Sequence, residues 1–453
     1  MRLANATLGQ LSKEVSRFSY DRNAQNIGIV HFGIGAFHRA HQAWYTDKAM
    51  DAGEINWAIL GVSMRSADVA NQLVPQDGLY TLSERSAALN KTRLIGAVQN
   101  VAVAVREREY IISTLAKSST HIASFTITEK GYCRDANGSL DVELANSASF
   151  YPIIAAALRR RYEARLQGLT LMSCDNLAQN GIQLEKLMLE YLFHRDKQLA
   201  DWFTSNCTCP STMVDRIVPA TTDNDRAELA AQIGLNDFGG VMTEPFSQWV
   251  IEDKFAGPRP KWENVGADLV ADVRPYETAK LRMLNGAHSF LAYCGLNRGH
   301  TYVHEAISDP ELRESVLKLM TLEAAPTIKA AAEQNLTSYA ASLMNRFSNP
   351  ALAHRLSQIA IDGSQKIPQR WLETLAYNAR NGRQCPAILV GITAWISHLQ
   401  GANGPVDDPR AKELKSILEG STDKALALFG FQKPMSSNWI PSESDRAIIA
   451  TSS

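Results

Sequence analysis

The sequence predicts an α/β chain, with a Rossmann-type, doubly wound N-terminal domain over residues 1–270 and a mainly α-helical C-terminal domain over residues 271–453. Three observations carry this. Short β-rich runs alternate with helix-compatible stretches through the first half, the pattern of a parallel sheet covered on both faces. The first run ends in a glycine turn. From about residue 271 strand-like runs nearly vanish and helical periodicity takes over.

The elements follow in chain order. Ile27–Phe32, in "IGIVHFGIGAFHRAH", is a continuous apolar run that fits a strand buried on both faces, and it turns at Gly33 and Gly35. "WAILGVSM" (57–64), "HIASFTITEK" (121–130) and "LTLMSCDN" (169–176) repeat the β-rich texture, the last followed by a helical "LEKLMLEYLFH". In the second half "ESVLKLMTLEAAPTIKAAAEQ", "NPALAHRLSQIAIDG", "CPAILVGITAWISHLQG" and "RAKELKSILEG" are helix-periodic, while the tail "MSSNWIPSESDRAIIATSS" reads as loosely structured. No internal repeat stands out.

Bulk properties narrow the function. At 453 residues the chain is too long for one ordinary core. The formal net charge of −1, with no basic stripe, speaks against nucleic acid and anionic lipid as partners. The N-terminus lacks a signal-peptide apolar core and no run approaches membrane-spanning length, so a soluble, cytoplasmic protein is expected. Six cysteines in so long a chain do not make a disulfide framework, and Cys207 and Cys209 lack the further ligands of a structural zinc site. No metal is expected.

Gly33-Ile34-Gly35 after a strand begins a dinucleotide fingerprint, in which glycines let the backbone turn sharply and approach a pyrophosphate. The third glycine of that fingerprint is replaced by His38. The acidic residue expected to hold the adenosine ribose is Asp68, somewhat late after the second strand, and Arg65 in the same loop could instead meet a 2′-phosphate. The carboxylate favours NAD; NADP stays open.

Metal-free interconversion of a hydroxyl and a carbonyl needs a base, donors for the alkoxide and a hydride acceptor. "KLRMLNGAHS" (280–289) brings Lys280, Asn285 and His288 together. On an α-helix they project at about 0°, 140° and 80°, within reach of one cavity. A lysine can serve as base, an asparagine amide can donate to an oxyanion, and a histidine can hold a substrate oxygen. Asn176 follows a strand-like run, where a doubly wound sheet presents residues to its crevice. Taken singly, each residue fits a solvated or packing role; their joint placement points to chemistry.

"GIGAFHRAHQAWYTD" (33–47), "TITEKGYC" (126–133), "MSCDN" (172–176), "MVDRIVPAT" (213–221), "EPFSQWVIEDKF" (244–255) and "KLRMLNGAHSFLAY" (280–293) occur in one order. Over roughly residues 25–430 the chain thereby resembles the long-chain mannitol dehydrogenase family of zinc-independent polyol and uronate oxidoreductases. The resemblance implies Lys280 as general acid/base, Asn176 and Asn285 as the oxyanion-hole pair, His288 as a substrate-binding partner and Glu277 as a proton relay to solvent. It also implies cofactor-side roles for Gly33, Ile34, Gly35, Phe37, Asp68 and Asp215.

Within the family, "RFSNPALAHRLSQIAIDGSQKIPQR" (346–370) is closer to the uronate reductases, and Gln358 stands where the mannitol enzymes carry arginine. Lys366 is then the matched candidate for a substrate carboxylate, with Arg355 and Gln358 beside it in sequence. "GVSMRSAD", by contrast, resembles the cofactor loop of the mannitol side, and the tail after about Phe431 drifts from the family. The expected reaction is reduction of D-fructuronate to D-mannonate with NADH, in hexuronate catabolism. A mannitol or D-arabinitol 2-dehydrogenase is the alternative, and a catalytically inactive nucleotide-binding regulator the remote one. The partner is a small sugar acid or polyol. A monomer and a small homo-oligomer stay equally open.

Overall fold

The computed structural model describes residues 1–86, 90–135 and 137–451. The chain divides into two compact units, Met1–Val273 and Arg274–Ser453.

Unit 1 contains β1 (Ile27–Phe32), β2 (Ala58–Ser63), β3 (Tyr80–Arg85), β4 (Asn90–Ile95), β5 (Val98–Val103), β6 (Ile122–Phe125), β7 (Thr170–Ser173), β8 (Thr212–Asp215), β9 (Val241–Thr243), β10 (Gln248–Glu252) and β11 (Asp268–Val270). The main sheet has the order β5-β2-β1-β6-β7, and every pairing in it is parallel. Alternate residues leave a strand on opposite faces. Val30 and Phe32 join Leu60, Val62, Ala123, Phe125 and Leu171 in one apolar cluster, while Ile29, Ile59, Val101, Ile122 and Met172 belong to another. Burial on both faces is the reason these strands read as unbroken apolar runs. Strand order reverses between β1 and β6, the position where doubly wound sheets open a crevice at their carboxyl ends.

Two three-stranded sheets, β4-β3-β9 and β11-β10-β8, are additions to the expected pattern, and each contains an antiparallel pair. β4, buried at Thr92, Leu94 and Ile95 but not at its first two residues, carries too little apolar signal to stand out. The 121–130 stretch is also corrected: only Ile122–Phe125 is strand, and Thr128–Gly131 forms a single helical turn.

Unit 2 is helical, with only β12 (Phe429–Gly430) and β13 (Met435–Ser436) as strands among the described residues. The helix Gly286–Asn297 is buried along almost its whole length and shares one large core with Pro386–Leu399. A helix apolar on every side belongs at the centre of its domain. Several predicted helices shorten. The 314–334 run leaves α geometry after Lys318, passes through a π-helical Leu319–Ala324 and ends at Thr327, where Pro326 cannot continue the ladder. The 349–363 run reduces to a 3₁₀ turn at Pro350–Leu352 and one α turn at Leu356–Ile359. The tail, expected to be loose, is anchored: Trp439 and Ile449 are buried in the core and Glu443–Thr451 is helical. Ser452 and Ser453 lie outside the described residues.

The π-helical Leu319–Ala324 places Glu323 beneath the N-terminus of Pro386–Leu399, where its carboxyl accepts the amides of Ala387 (2.8 Å) and Ile388 (2.9 Å). Burial outweighs these donors and pushes its pKa up to about 7 from 4.5. A raised folded-state pKa means that folding takes up a proton between those values. The resulting stability is fully present below pH 4.5 and is lost as pH rises through 7, by up to about 3 kcal/mol. Glu323→Gln, neutral throughout, should flatten this decline of Tm between pH 4.5 and 8. An unchanged slope would mean that Glu323 titrates normally.

Candidate active site

The glycine turn follows β1 as the sequence predicts. Gly33 has φ of +96°, and a Cβ there would lie 2.1 Å from the Thr126 carbonyl oxygen. Thr126 donates its hydroxyl to the Gly33 carbonyl at 2.8 Å and its amide to Phe32 at 2.9 Å, which presses the β6 loop against the turn. Gly35 differs: its backbone is extended, and a Cβ would meet only the Gly33 carbonyl, at 3.8 Å. Ile34 is buried in the sheet core, and half-buried Phe37 stacks on His41 at 5.1 Å between ring centroids.

His38, in place of the third glycine, is fully buried and stacks on His31 at 3.4 Å. His31 is held by Ser124 and Thr126, each at 2.8 Å, and burial takes its pKa down to about 3. The helix after the turn therefore meets β1 through two flat, neutral rings. The close approach that a glycine provides in the usual fingerprint is not required here.

At the carboxyl ends of β2 and β6 a cavity of about 350 Å³ is lined on one side by Met64 and Arg65 and on the other by Ile127, Thr128, Lys130 and Cys133. A backbone open at Gly35 and a cavity beside the strand-order reversal have the form of a dinucleotide site in a doubly wound sheet. Asp68 is exposed and opens the short helix Asp68–Leu73, and Arg65 rather than Asp68 lines the cavity. Asp215 ends β8 and is buried. Asn176 lies three residues past β7 with its side chain exposed.

In unit 2 the candidate stretch is helical, with a correction that matters. Arg274–Ala279 is α-helix, Lys280–Asn285 is a π-helical turn, and α geometry resumes at Gly286. The angles of an α-helical wheel thus do not hold across Lys280–His288, because i→i+5 bonding widens the turn; π-bulges recur at functional sites. Two side chains brace it. Arg370 donates to Ser289 Oγ at 2.7 Å and to the Asn285 carbonyl at 3.4 Å, and the Trp371 indole donates to the Gly286 carbonyl at 3.2 Å.

Lys280, Asn285 and Glu277 are half-buried, while His288 is buried against the Phe347 and His354 rings at 4.8 and 5.4 Å. Its Nε2 has no hydrogen-bond partner among the described residues. Burial first, then His354, Arg346, Arg370 and Lys280, push its pKa well below the ordinary value, so the ring is neutral. Burial also lowers Arg370, to about 10, which leaves it a cation at neutral pH.

The remaining substrate candidates do not behave alike. Lys366 is partly buried, donates to the carbonyls of Ile359 and Ile361, and has its pKa lowered by burial and then by Arg370. Arg355 is exposed, its guanidinium 5.2 Å from the centre of the Tyr302 ring, and Gln358 is exposed. His354, whose ring meets His288, and Arg346, whose charge acts on it, were not singled out from sequence, since neither carries a local motif.

Residues 27–264 match the mannitol dehydrogenase Rossmann domain, and residues 272–429 match the mannitol dehydrogenase C-terminal domain. D-mannonate oxidoreductase of Escherichia coli (strain K12) is 40% identical over 439 residues, covering 92% of this chain and 90% of that protein. Mannitol 2-dehydrogenase of Pyrenophora tritici-repentis (strain Pt-1C-BFP) is 36% identical, covering 92% of this chain and 77% of that protein. Among solved structures, the Pseudomonas fluorescens mannitol 2-dehydrogenase in ternary complex with NAD and D-mannitol superposes with a TM-score of 0.86 at 35% identity, covering 100% of this chain and 96% of that one. The chain belongs to the mannitol dehydrogenase family.

Proposed function

We propose that this protein is an NAD-dependent oxidoreductase of CH–OH groups whose substrate is a sugar acid, and that it reduces D-fructuronate to D-mannonate in the cytoplasm. One observation carries the choice of an acid: two guanidinium groups, Arg346 and Arg370, bear on His288, and Arg370 donates to Ser289 beside it at 2.7 Å, whereas burial keeps His354 neutral. A carboxylate leaving water requires such cations, whereas a neutral polyol gains little from them. The 40% identity to a D-mannonate oxidoreductase supports the same reading.

NADH, when bound, supplies the hydride for the keto carbon. Lys280 then gives a proton to the nascent alkoxide, Asn176 and Asn285 donate amide hydrogens to it, and neutral His288 holds a neighbouring substrate oxygen. Glu277, one helical turn before Lys280, restores the proton from solvent. Gly33, Ile34, Gly35 and Phe37 shape the cofactor turn, Asp68 serves the ribose and Asp215 the nicotinamide side. Lys366, with Arg355 and Gln358, receives the carboxylate. The second reading, a polyol 2-dehydrogenase, is favoured by the mannitol 2-dehydrogenase relatives.

The test follows NADH absorbance with fructuronate, tagaturonate and fructose side by side. Turnover of fructuronate with little of fructose is expected, and Lys366→Met should depress the uronate reaction far more than any residual ketose reaction. Preference for fructose would overturn the acid reading. Equal losses in Lys366→Met would move the carboxylate to another cation, with Arg370 next in line.

A further inference from the structure

Asp175 is a buried carboxylate for which the roles above have no use. It stands between the end of β7 and Asn176. One of its oxygens accepts the Ile127 amide at 3.0 Å and the Tyr132 hydroxyl at 2.8 Å; the other accepts the Thr128 amide at 2.9 Å. The Tyr132 hydroxyl also lies 2.6 Å from Ser173 Oγ at the end of β7. All three donors belong to one loop, 126–133.

That loop is under strain. Thr128 has φ of +64°, a left-handed conformation that is an outlier for a β-branched residue and persists only where the surroundings impose it. The same loop supplies Ile127, Thr128, Lys130 and Cys133 to the wall of the cavity at the carboxyl ends of β2 and β6, and through Thr126 it bonds the Gly33 carbonyl. An unbroken path therefore runs from Asn176 through Asp175 to Thr128, and on through Thr126 to the glycine turn.

We propose that Asp175 is a positioning residue: its carboxylate holds the 126–133 loop as the wall of the nucleotide cavity and at the same time fixes the neighbouring Asn176. Loop geometry and amide placement then depend on one group, so the cofactor's seat and the alkoxide donor are set together. The second half rests on the role proposed above for Asn176; the first half does not.

Asp175→Asn keeps the shape but turns an amide NH₂ toward a backbone N–H, so at least one charge-assisted bond is lost. NADH is titrated into the full-length variant by fluorescence with no sugar present, so the result is independent of which sugar is the substrate. The Kd for NADH should rise at least about tenfold, and kcat at saturating NADH, on whichever sugar the wild type reduces, should fall by a similar factor. Tyr132→Phe removes one donor and leaves the carboxylate and both amide bonds, so it should raise the Kd a few-fold. It carries the test if the asparagine variant does not fold.

A lowered Tm with NADH affinity within about twofold of wild type, in either variant, would make Asp175 a fold residue and overturn the proposal. Weakened NADH binding with wild-type kcat would remove the link to Asn176. Failure of the wild type to reduce fructuronate would overturn the substrate reading and leave the NADH titrations standing.

Discussion

Lys280→Ala is expected to cut turnover at least about a hundredfold while the Kd for NADH stays near wild type, since general acid–base groups contribute on that scale and the cofactor turn lies in the other unit. The structure sharpens the expectation. Lys280 opens the π-helical turn, and that turn is braced at its far end by Arg370 and Trp371. The side chain is thus carried by a segment whose geometry is imposed from outside, so the loss should be chemical rather than structural, with Tm little changed. Small primary amines supplied in solution should restore part of the rate. Wild-type turnover in Lys280→Ala would remove the lysine from the mechanism; a collapse of Tm would make the segment's integrity, not its ammonium group, the cause.

The two glycines of the turn after β1, proposed to seat the cofactor, should separate folding from binding. Gly33→Ala forces a left-handed backbone on a residue with a side chain and drives its Cβ toward the Thr126 carbonyl oxygen at 2.1 Å. The β6 loop must shift, so Tm should fall markedly, by the equivalent of a few kcal/mol, and NADH binding should be lost with it. Gly35→Ala strains nothing, because its φ of −90° suits any residue and its Cβ faces open space beyond a 3.8 Å contact. Its Tm should be unchanged, yet NADH should bind at least about tenfold more weakly, since the methyl group occupies the path of a pyrophosphate approaching the backbone. Normal NADH affinity in Gly35→Ala would move the pyrophosphate away from this turn.

Much of the local structure around this site was legible in the residues. β1 and its glycines announce themselves, because a strand buried on both faces must be apolar throughout and a left-handed turn selects glycine. The π-helical turn was not legible: nothing in "KLRMLN" distinguishes i→i+5 from i→i+4 bonding, and its braces come from residues 370 and 371. His38 looked like a defect in the fingerprint until its stack on His31 explained how the helix and strand meet without a glycine. Lys366 was read as the candidate for a substrate carboxylate, and its bonds to the carbonyls of Ile359 and Ile361 are invisible in sequence because backbone acceptors are the same at every residue.

By itself, then, the sequence determined the order of a doubly wound domain and a helical one and the position of the glycine turn after β1. Local pattern suffices there, since burial on two faces and turn conformation act within a few residues. Only the tertiary structure decided which groups are buried together: His288 against the Phe347 and His354 rings, and the Asp175 bonds to a loop some forty-eight residues earlier in the chain. Such groupings depend on burial and on backbone donors brought close by folding, and neither leaves a mark on the residues nearby.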